Sequence, residues 1–262
     1  MNEAGDLTAL DASKPNVARV RDVLLGGRDN YAADRQLAER LLGICPSLGD
    51  AVLERRAFIT RAVTWAARQG ITQFAELGTG MPGPPSAGDA ARAVIPAARV
   101  AYVDSDPVVT LHVRVLLAAG EDTAVSGADP ADPAAVLTDP EVLAVIDLAE
   151  PVCLIFGPVL DLMPARQARE VVAAYAALAA PGSYAVISCA RCDDDDMWKQ
   201  LQEAYTAADA YNHTPDEAAG FLAGLELVPP GLVAAQNWRG GWHDVPATTP
   251  GPAYVLAGVA RK

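Results

Sequence analysis

Positive charge is in short supply in this chain. Lysine is scarce, most cations are arginines, and 20 Lys and Arg stand against 33 Asp and Glu, a formal net charge of −13 over 262 residues. Nucleic-acid phosphates and anionic membrane surfaces would repel such a surface, so neither is expected as a partner. Cysteine is sparse too, with four residues. Cys189 and Cys192 form a lone Cys-x-x-Cys, while Cys45 and Cys153 sit in unrelated contexts, so no metal site is expected. No apolar run approaches the length of a membrane span. The opening Met1-Asn2-Glu3-Ala4-Gly5-Asp6 is acidic where a secretory leader would be basic. These absences together lead to the expectation of a cytoplasmic protein with reduced thiols.

What is present is a large apolar fraction, 51% of residues, enough for one large domain or one domain with an appendage. From Thr72 onward apolar runs alternate with amphipathic stretches. Strands are expected over residues 73–77, 99–103, 123–126, 152–156 and 183–188, and helices over 87–95, 107–119, 133–145 and 164–179. That order predicts a parallel, doubly wound α/β sheet with ligands at the carboxyl ends of its strands. Further helices are expected over 197–211 and 215–225. Two last strands, over 226–228 and 254–260, would add an antiparallel hairpin at one edge. Before the sheet, helices are expected over 15–25 (with Ser13 as N-cap), 34–42 and 50–69. Residues 1–70 thus read as a helical N-terminal cap, and 71–262 as a Rossmann-like domain.

The stretch Phe74-Ala75-Glu76-Leu77-Gly78-Thr79-Gly80 is an apolar run that ends in a loop with two closely spaced glycines. A second apolar run, Arg99-Val100-Ala101-Tyr102-Val103, ends in Asp104. Strand, glycine turn, helix, strand and acid make a nucleotide-binding half-fold. Glycine lets the backbone approach a ligand, and the acid can accept hydrogen bonds from a ribose. The pattern fits the adenosine pocket of an S-adenosylmethionine-type fold, with a ligand-free strand–turn–helix as the plain alternative.

Three other features have two readings each. Gly26-Gly27 is a helix C-cap, yet Arg28-Asp29-Asn30-Tyr31 follows at once and could fold over a ligand. Asp193-Asp194-Asp195-Asp196 is a solvated helix N-terminus, or an acidic rim that attracts a cationic amine. Trp238, Trp242 and Pro229-Pro230 are core, or an apolar face for a homo- or heterodimer.

Several of these stretches resemble the landmarks of an actinobacterial S-adenosyl methyltransferase family once described as a domain of unknown function. They are Pro15-Asn16-Val17-Ala18-Arg19-Val20, Leu24-Leu25-Gly26-Gly27-Arg28-Asp29-Asn30-Tyr31, Arg56-Ala57-Phe58, Gln73 through Gly80, Tyr102-Val103-Asp104-Ser105-Asp106-Pro107, Ala128-Asp129 and Pro181-Gly182-Ser183-Tyr184. The Gly-Gly-basic-Asp-Asn loop is the most specific of them. The resemblance implies a class I methyltransferase fold, a seven-stranded, mostly parallel sheet in the order 3-2-1-4-5-7-6. It also implies S-adenosyl-L-methionine as cofactor. Gly78, Thr79 and Gly80 would pass the methionine part, Asp104 would hold the ribose hydroxyls, and Asp129 would face the adenine amine. Gly27, Asp29 and Asn30 would close from the cap, and Glu76 would orient the cofactor's amino group.

The departures from that family's pattern define a divergent member. Its usual Asn-x-His-Glu is Ser86-Ala87-Gly88-Asp89 here, after a proline-stiffened Met81-Pro82-Gly83-Pro84-Pro85. Its Val-Leu-His-Phe is Val159-Leu160-Asp161-Leu162, its Ser-His is Ser188-Cys189, and its Asn before Arg-Ala-Phe is Arg55. Three histidines are therefore missing, and the remaining candidates are acids: Glu76, Asp89, Asp104, Asp129, Asp161 and Asp193. The first functional expectation is methyl transfer to a small molecule of specialised metabolism, with Asp161 as the carboxylate that takes the proton. A second is a cofactor-free enzyme of the same fold that closes a small nitrogen ring by intramolecular amine alkylation, with Glu76 and Asp161 as bases. A third is a non-catalytic partner subunit.

Overall fold

A computed structural model describes residues 11–118, 120–239 and 251–262. Five strands of the expected set form: β1 Gln73–Leu77, β2 Arg99–Val103, β3 Thr123–Ser126, β4 Cys153–Phe156 and β5 Tyr184–Cys192. They lie parallel in the order β3-β2-β1-β4-β5. A nine-residue β8, Ala253–Arg261, runs antiparallel along the whole of β5. Its outer side carries β6, Glu226–Leu227, and β7, Val233–Ala234.

The sheet therefore has eight strands rather than the expected seven. Its outer edge comes as two short pieces because Pro229 and Pro230 lie between them, and proline has no N–H to give the ladder. With β8 counted as the seventh strand, the expected order holds.

Alternate residues of each strand go to opposite faces. Phe74, Val100, Tyr102 and Ile155 enter one core with α3 (Ser47–Arg68), α4 (Ala87–Arg92) and α5 (Pro107–Leu116). Ala75, Ala101, Val103 and Phe156 enter the other with α6 (Pro133–Leu137), α7 (Pro140–Val145), α8 (Ala165–Leu178) and α10 (Pro215–Phe221). Burial on both faces explains why the central strands read as continuous apolar runs.

Of the described residues expected as a cap, α1 (Val17–Leu24) and α2 (Ala32–Ile44) share a buried cluster with the sheet only through Ala253 of β8. They share a third core with α9 (Asp195–Ala204), through Val20, Leu37, Leu41 and Leu201. The long α3 instead lies on the sheet through Phe58, Ile59, Ala62 and Val63. Helices from both ends of the chain thus meet in that third core.

Several helix boundaries differ from expectation. Asn16, not Ser13, caps α1: its side chain accepts from the Ala18 and Arg19 amides, and Ser13 bonds Asp11 instead. The segment 133–145 is two helices, because Asp139 caps a fresh start at Pro140. Helix α9 ends at Ala204, and its N-terminus uses the acidic run as the dipole predicts, with Asp194 accepting from Met197 N at 2.9 Å. Trp238 is fully buried, edge-on to Phe58 and Trp65, so it belongs to the core and offers no interface. Trp242 lies outside the described residues.

Candidate active site

The loop after β1 is locked before any ligand arrives. Gly78 and Gly80 have φ of 75° and 69°, a region that side chains disfavour. A Cβ on Gly78 would also stand 2.9 Å from Val159 Cβ. The Gly78 and Thr79 amides both donate to Val103 O on β2, at 2.9 and 3.2 Å. Gly80 N donates to Asp104 Oδ2 at 2.8 Å, and Asp106 N to Asp104 Oδ1 at 3.0 Å. Asp104 therefore ties the glycine loop to the β2 loop with one lone pair of each oxygen and retains acceptor capacity on both. Burial pushes its carboxyl upward against the pull of those two amides.

The cap is pinned to the same corner. Asn16 Nδ2 donates to Asp106 Oδ2 at 2.7 Å, and Asp106 Oδ1 caps α5 by accepting from Val108 N at 2.8 Å. Behind it, the buried Asp34 accepts from Asn16 N, Arg19 Nε and Tyr31 N at 2.8–2.9 Å. These contacts leave a cleft of about 700 Å³ between α1 and the strand ends, within the range of nucleotide-sized sites. Gly78, Gly80, Asp104, Asp129 and Arg21 are on its wall. Asp129 sits at its exposed rim, with Oδ1 accepting from Ala131 N at 2.8 Å and Oδ2 without a partner among the described residues.

Other expected site residues go elsewhere. Gly27, Asp29 and Asn30 line none of the cavities described here. They build their own loop around Asp22, which accepts from Asp29 N at 2.9 Å and Asn30 Nδ2 at 2.8 Å. A Cβ on Gly27 would fall 1.9 Å from Asp22 Oδ1, so glycine is needed there for the carboxylate to pass. Glu76 and Thr79 face a separate hollow of about 40 Å³ shared with Arg21 and Arg56. Burial drives the Glu76 carboxyl up to about 7, against the opposing pull of Arg21 and Arg56.

Asp161 is not a free base. It lies on a 3₁₀ turn, Pro158–Leu162, after β4. Its Oδ2 is 2.6 Å from Arg55 Nη2 and its Oδ1 accepts from Ala190 N at 2.7 Å. Two of the sequence's departures from the family pattern thus pair with each other. Nor do the acids gather in one pocket. Asp89 forms a capping box with Ser86, and Asp193 pairs with Arg191 at 2.7 Å. The four cysteines are free and buried, and among the described residues no cluster could hold a metal.

The sequence reading missed Arg21, which touches all three cavities. Its signal was legible: with Val17 and Leu24 it falls at i, i+4 and i+7, so a cation sits on the apolar stripe of α1. Its Nη1 lies 3.4 Å from where a Gly80 Cβ would be. Burial lowers its guanidinium to about 10, so it keeps its charge near neutral pH.

A glycine loop fixed to an acid at the end of β2, under a sheet with an antiparallel strand inserted next to its edge, defines a class I methyltransferase. The profile described as S-adenosyl methyltransferase matches residues 3–262, and the chain belongs to that family. A protein from Thermobifida fusca is 36% identical, with a TM-score of 0.89 over 96% of each chain. A DUF574 family protein from Streptomyces avermitilis is 30% identical, also at 0.89, covering 96% of this chain and 99% of the other. Magnesium protoporphyrin IX methyltransferase from Synechocystis, solved with S-adenosylhomocysteine, shares the fold at 14% identity and a TM-score of 0.52, covering 93% of both chains. No curated protein matches.

S-Adenosyl-L-methionine is the cofactor, and the residues fit it. Gly78, Gly80 and Asp104 line one cleft of sufficient volume, and Asp104 retains acceptor capacity on both oxygens.

Proposed function

We propose that the chain methylates a small molecule that enters beside α1 and α9. The observation that carries this reading is a second cavity of about 160 Å³ next to the cofactor cleft, sharing Val17, Arg21, Pro158 and Leu162 with it. Its walls are mainly aliphatic and aromatic, and its size suits part of a small acceptor, not a polymer.

When bound, the cofactor supplies an electrophilic methyl group on a sulfonium sulfur. The chain's own part is alignment. Asp104 is placed to accept from the ribose and Asp129 from the adenine amine. Leu162 and Pro158 separate the two cavities' polar and apolar ends and keep water from the acceptor.

The ring-closure reading required Asp161 as a free base, and its engagement with Arg55 and Ala190 N speaks against that role. The reading places the enzyme in the cytoplasm, where its four free cysteines stay reduced. Among the described residues no helix is long and apolar enough to cross a membrane. The acceptor is read as a small molecule of specialised metabolism.

The test is incubation with methyl-labelled cofactor and a fractionated actinobacterial metabolite extract. A labelled product heavier by one CH₂, formed together with S-adenosylhomocysteine, is expected. Label that appears only in protein or nucleic acid would overturn the small-molecule reading.

A further inference from the structure

The charge of the second cavity differs from what the acidic sequence leads one to expect. Four charged side chains reach its wall: Arg21, Arg55, Asp161 and Arg191. Arg191 is neutralised by Asp193 at 2.7 Å and Arg55 by Asp161 at 2.6 Å. Arg21 has no carboxylate within ion-pair distance among the described residues; Glu76 and Asp161 act on it only from farther away, so positive charge predominates on the cavity wall.

A second observation points the same way. Arg21 Nε and Arg55 Nε are both buried without a hydrogen-bond partner among the described residues. Arg55 is 5% exposed, and its charge is among those that depress Arg21. Buried donors without acceptors are rare because water has been removed and nothing replaces it. Two of them on like-charged residues of one apolar cavity make a place for an acceptor that is also an anion.

We propose that the methyl acceptor is an apolar molecule with an acidic oxygen, a carboxylic acid or an acidic phenol or enol, which binds as its anion against Arg21 and Arg55. The inference rests on the methyltransferase reading above and names its substrate class. It replaces the expectation of a cationic amine. An ammonium group would meet an arginine there and, beyond it, the cofactor's sulfonium.

The chemistry balances without a base. A lone pair of the anionic oxygen forms the new O–C bond to the methyl carbon. The S–C bond pair stays on sulfur, which becomes a neutral thioether, and no proton is released. This agrees with the lack of a free carboxylate at the junction, where Asp161 is held by Arg55 and Ala190 N.

The test is titration calorimetry at neutral pH with three probes of one shape: 4-propylbenzoate, 4-propylbenzamide and 4-propylbenzylammonium. Each is measured with and without saturating S-adenosylhomocysteine. The benzoate is expected to bind about ten- to a hundredfold tighter than either of the others, the range for a hydrogen bond to a charged group. The paired variant Arg55→Met with Asp161→Leu removes the ion pair without stranding either charge. In it the benzoate preference should shrink at least about threefold. Equal or tighter binding of the amide or the ammonium, no binding by any probe, or an unchanged preference in the folded paired variant would each overturn the proposal. If that variant does not fold, the comparison in the native protein decides. Failure of S-adenosylhomocysteine itself to bind would instead count against the cofactor cleft, and the probe series without it still judges the cavity.

Discussion

Replacing Glu76 by glutamine tests whether burial or ion pairing governs this carboxyl. Burial raises it from an ordinary 4.5 to about 7, while Arg21 and Arg56 pull it the other way. A raised carboxyl means that the folded state holds a proton that the unfolded state has already lost. Stability contributed by Glu76 is therefore fully present below about 4.5 and is lost as pH rises through about 7. The gap is worth at most about 3 kcal/mol, at 1.36 kcal/mol per pH unit. Glutamine keeps the shape and cannot ionise. Urea unfolding of native protein and Glu76→Gln should give similar free energies near pH 4.5, apart from a constant offset. By pH 8.5 the variant should have gained roughly 2–3 kcal/mol relative to native protein. Taking the difference at each pH cancels every other titrating group. A flat difference, or one that moves the other way, would mean that Glu76 is ionised throughout in the folded protein. The arginines would then outweigh burial, and the account of this hollow would be wrong.

Three further perturbations probe the cofactor cleft and the core. Gly78→Ala meets both a positive φ and Val159 Cβ at 2.9 Å; strain of about 1–2 kcal/mol plus the clash should lower Tm and weaken S-adenosylhomocysteine at least about tenfold by calorimetry. Asp104→Asn loses charge at a group that holds two backbone amides and faces the cleft, so affinity for the same ligand should fall about ten- to a hundredfold with little change in the sheet's circular dichroism. Trp238→Ala removes a fully buried ring packed on Phe58 and Trp65; urea unfolding should show a loss of about 3–5 kcal/mol, with ligand affinity per folded molecule unchanged.

Much of the architecture was legible because it rests on local rules. Apolar runs bounded by glycine and proline located β1, β2 and β3 to the residue, since strands buried on both faces have little choice but continuous apolar sequence. Errors fell at helix ends, where a single side chain decides. Asn16 won over Ser13 because Asp106 and Asp34, distant in the chain, hold it in place. The cofactor loop was legible for a similar reason, as only glycine satisfies a positive φ beside Val159.

The acceptor side was not legible, because it depends on which charges meet. Counting acids along the chain suggested a negative pocket. Folding sends Asp89 and Asp194 to helix caps, Asp193 to Arg191, and Asp161 to Arg55. The sequence by itself determined the sheet, its winding and the glycine–acid corner that belongs to the methyltransferase family, because these follow from hydrophobic period and backbone conformation within short segments. Only the tertiary structure decided the sign of the second cavity. The pairing of Arg55 with Asp161, more than a hundred positions away, removes the acid that the sequence offered to this pocket and leaves Arg21 without a carboxylate at ion-pair distance among the described residues, and no local pattern encodes that sum.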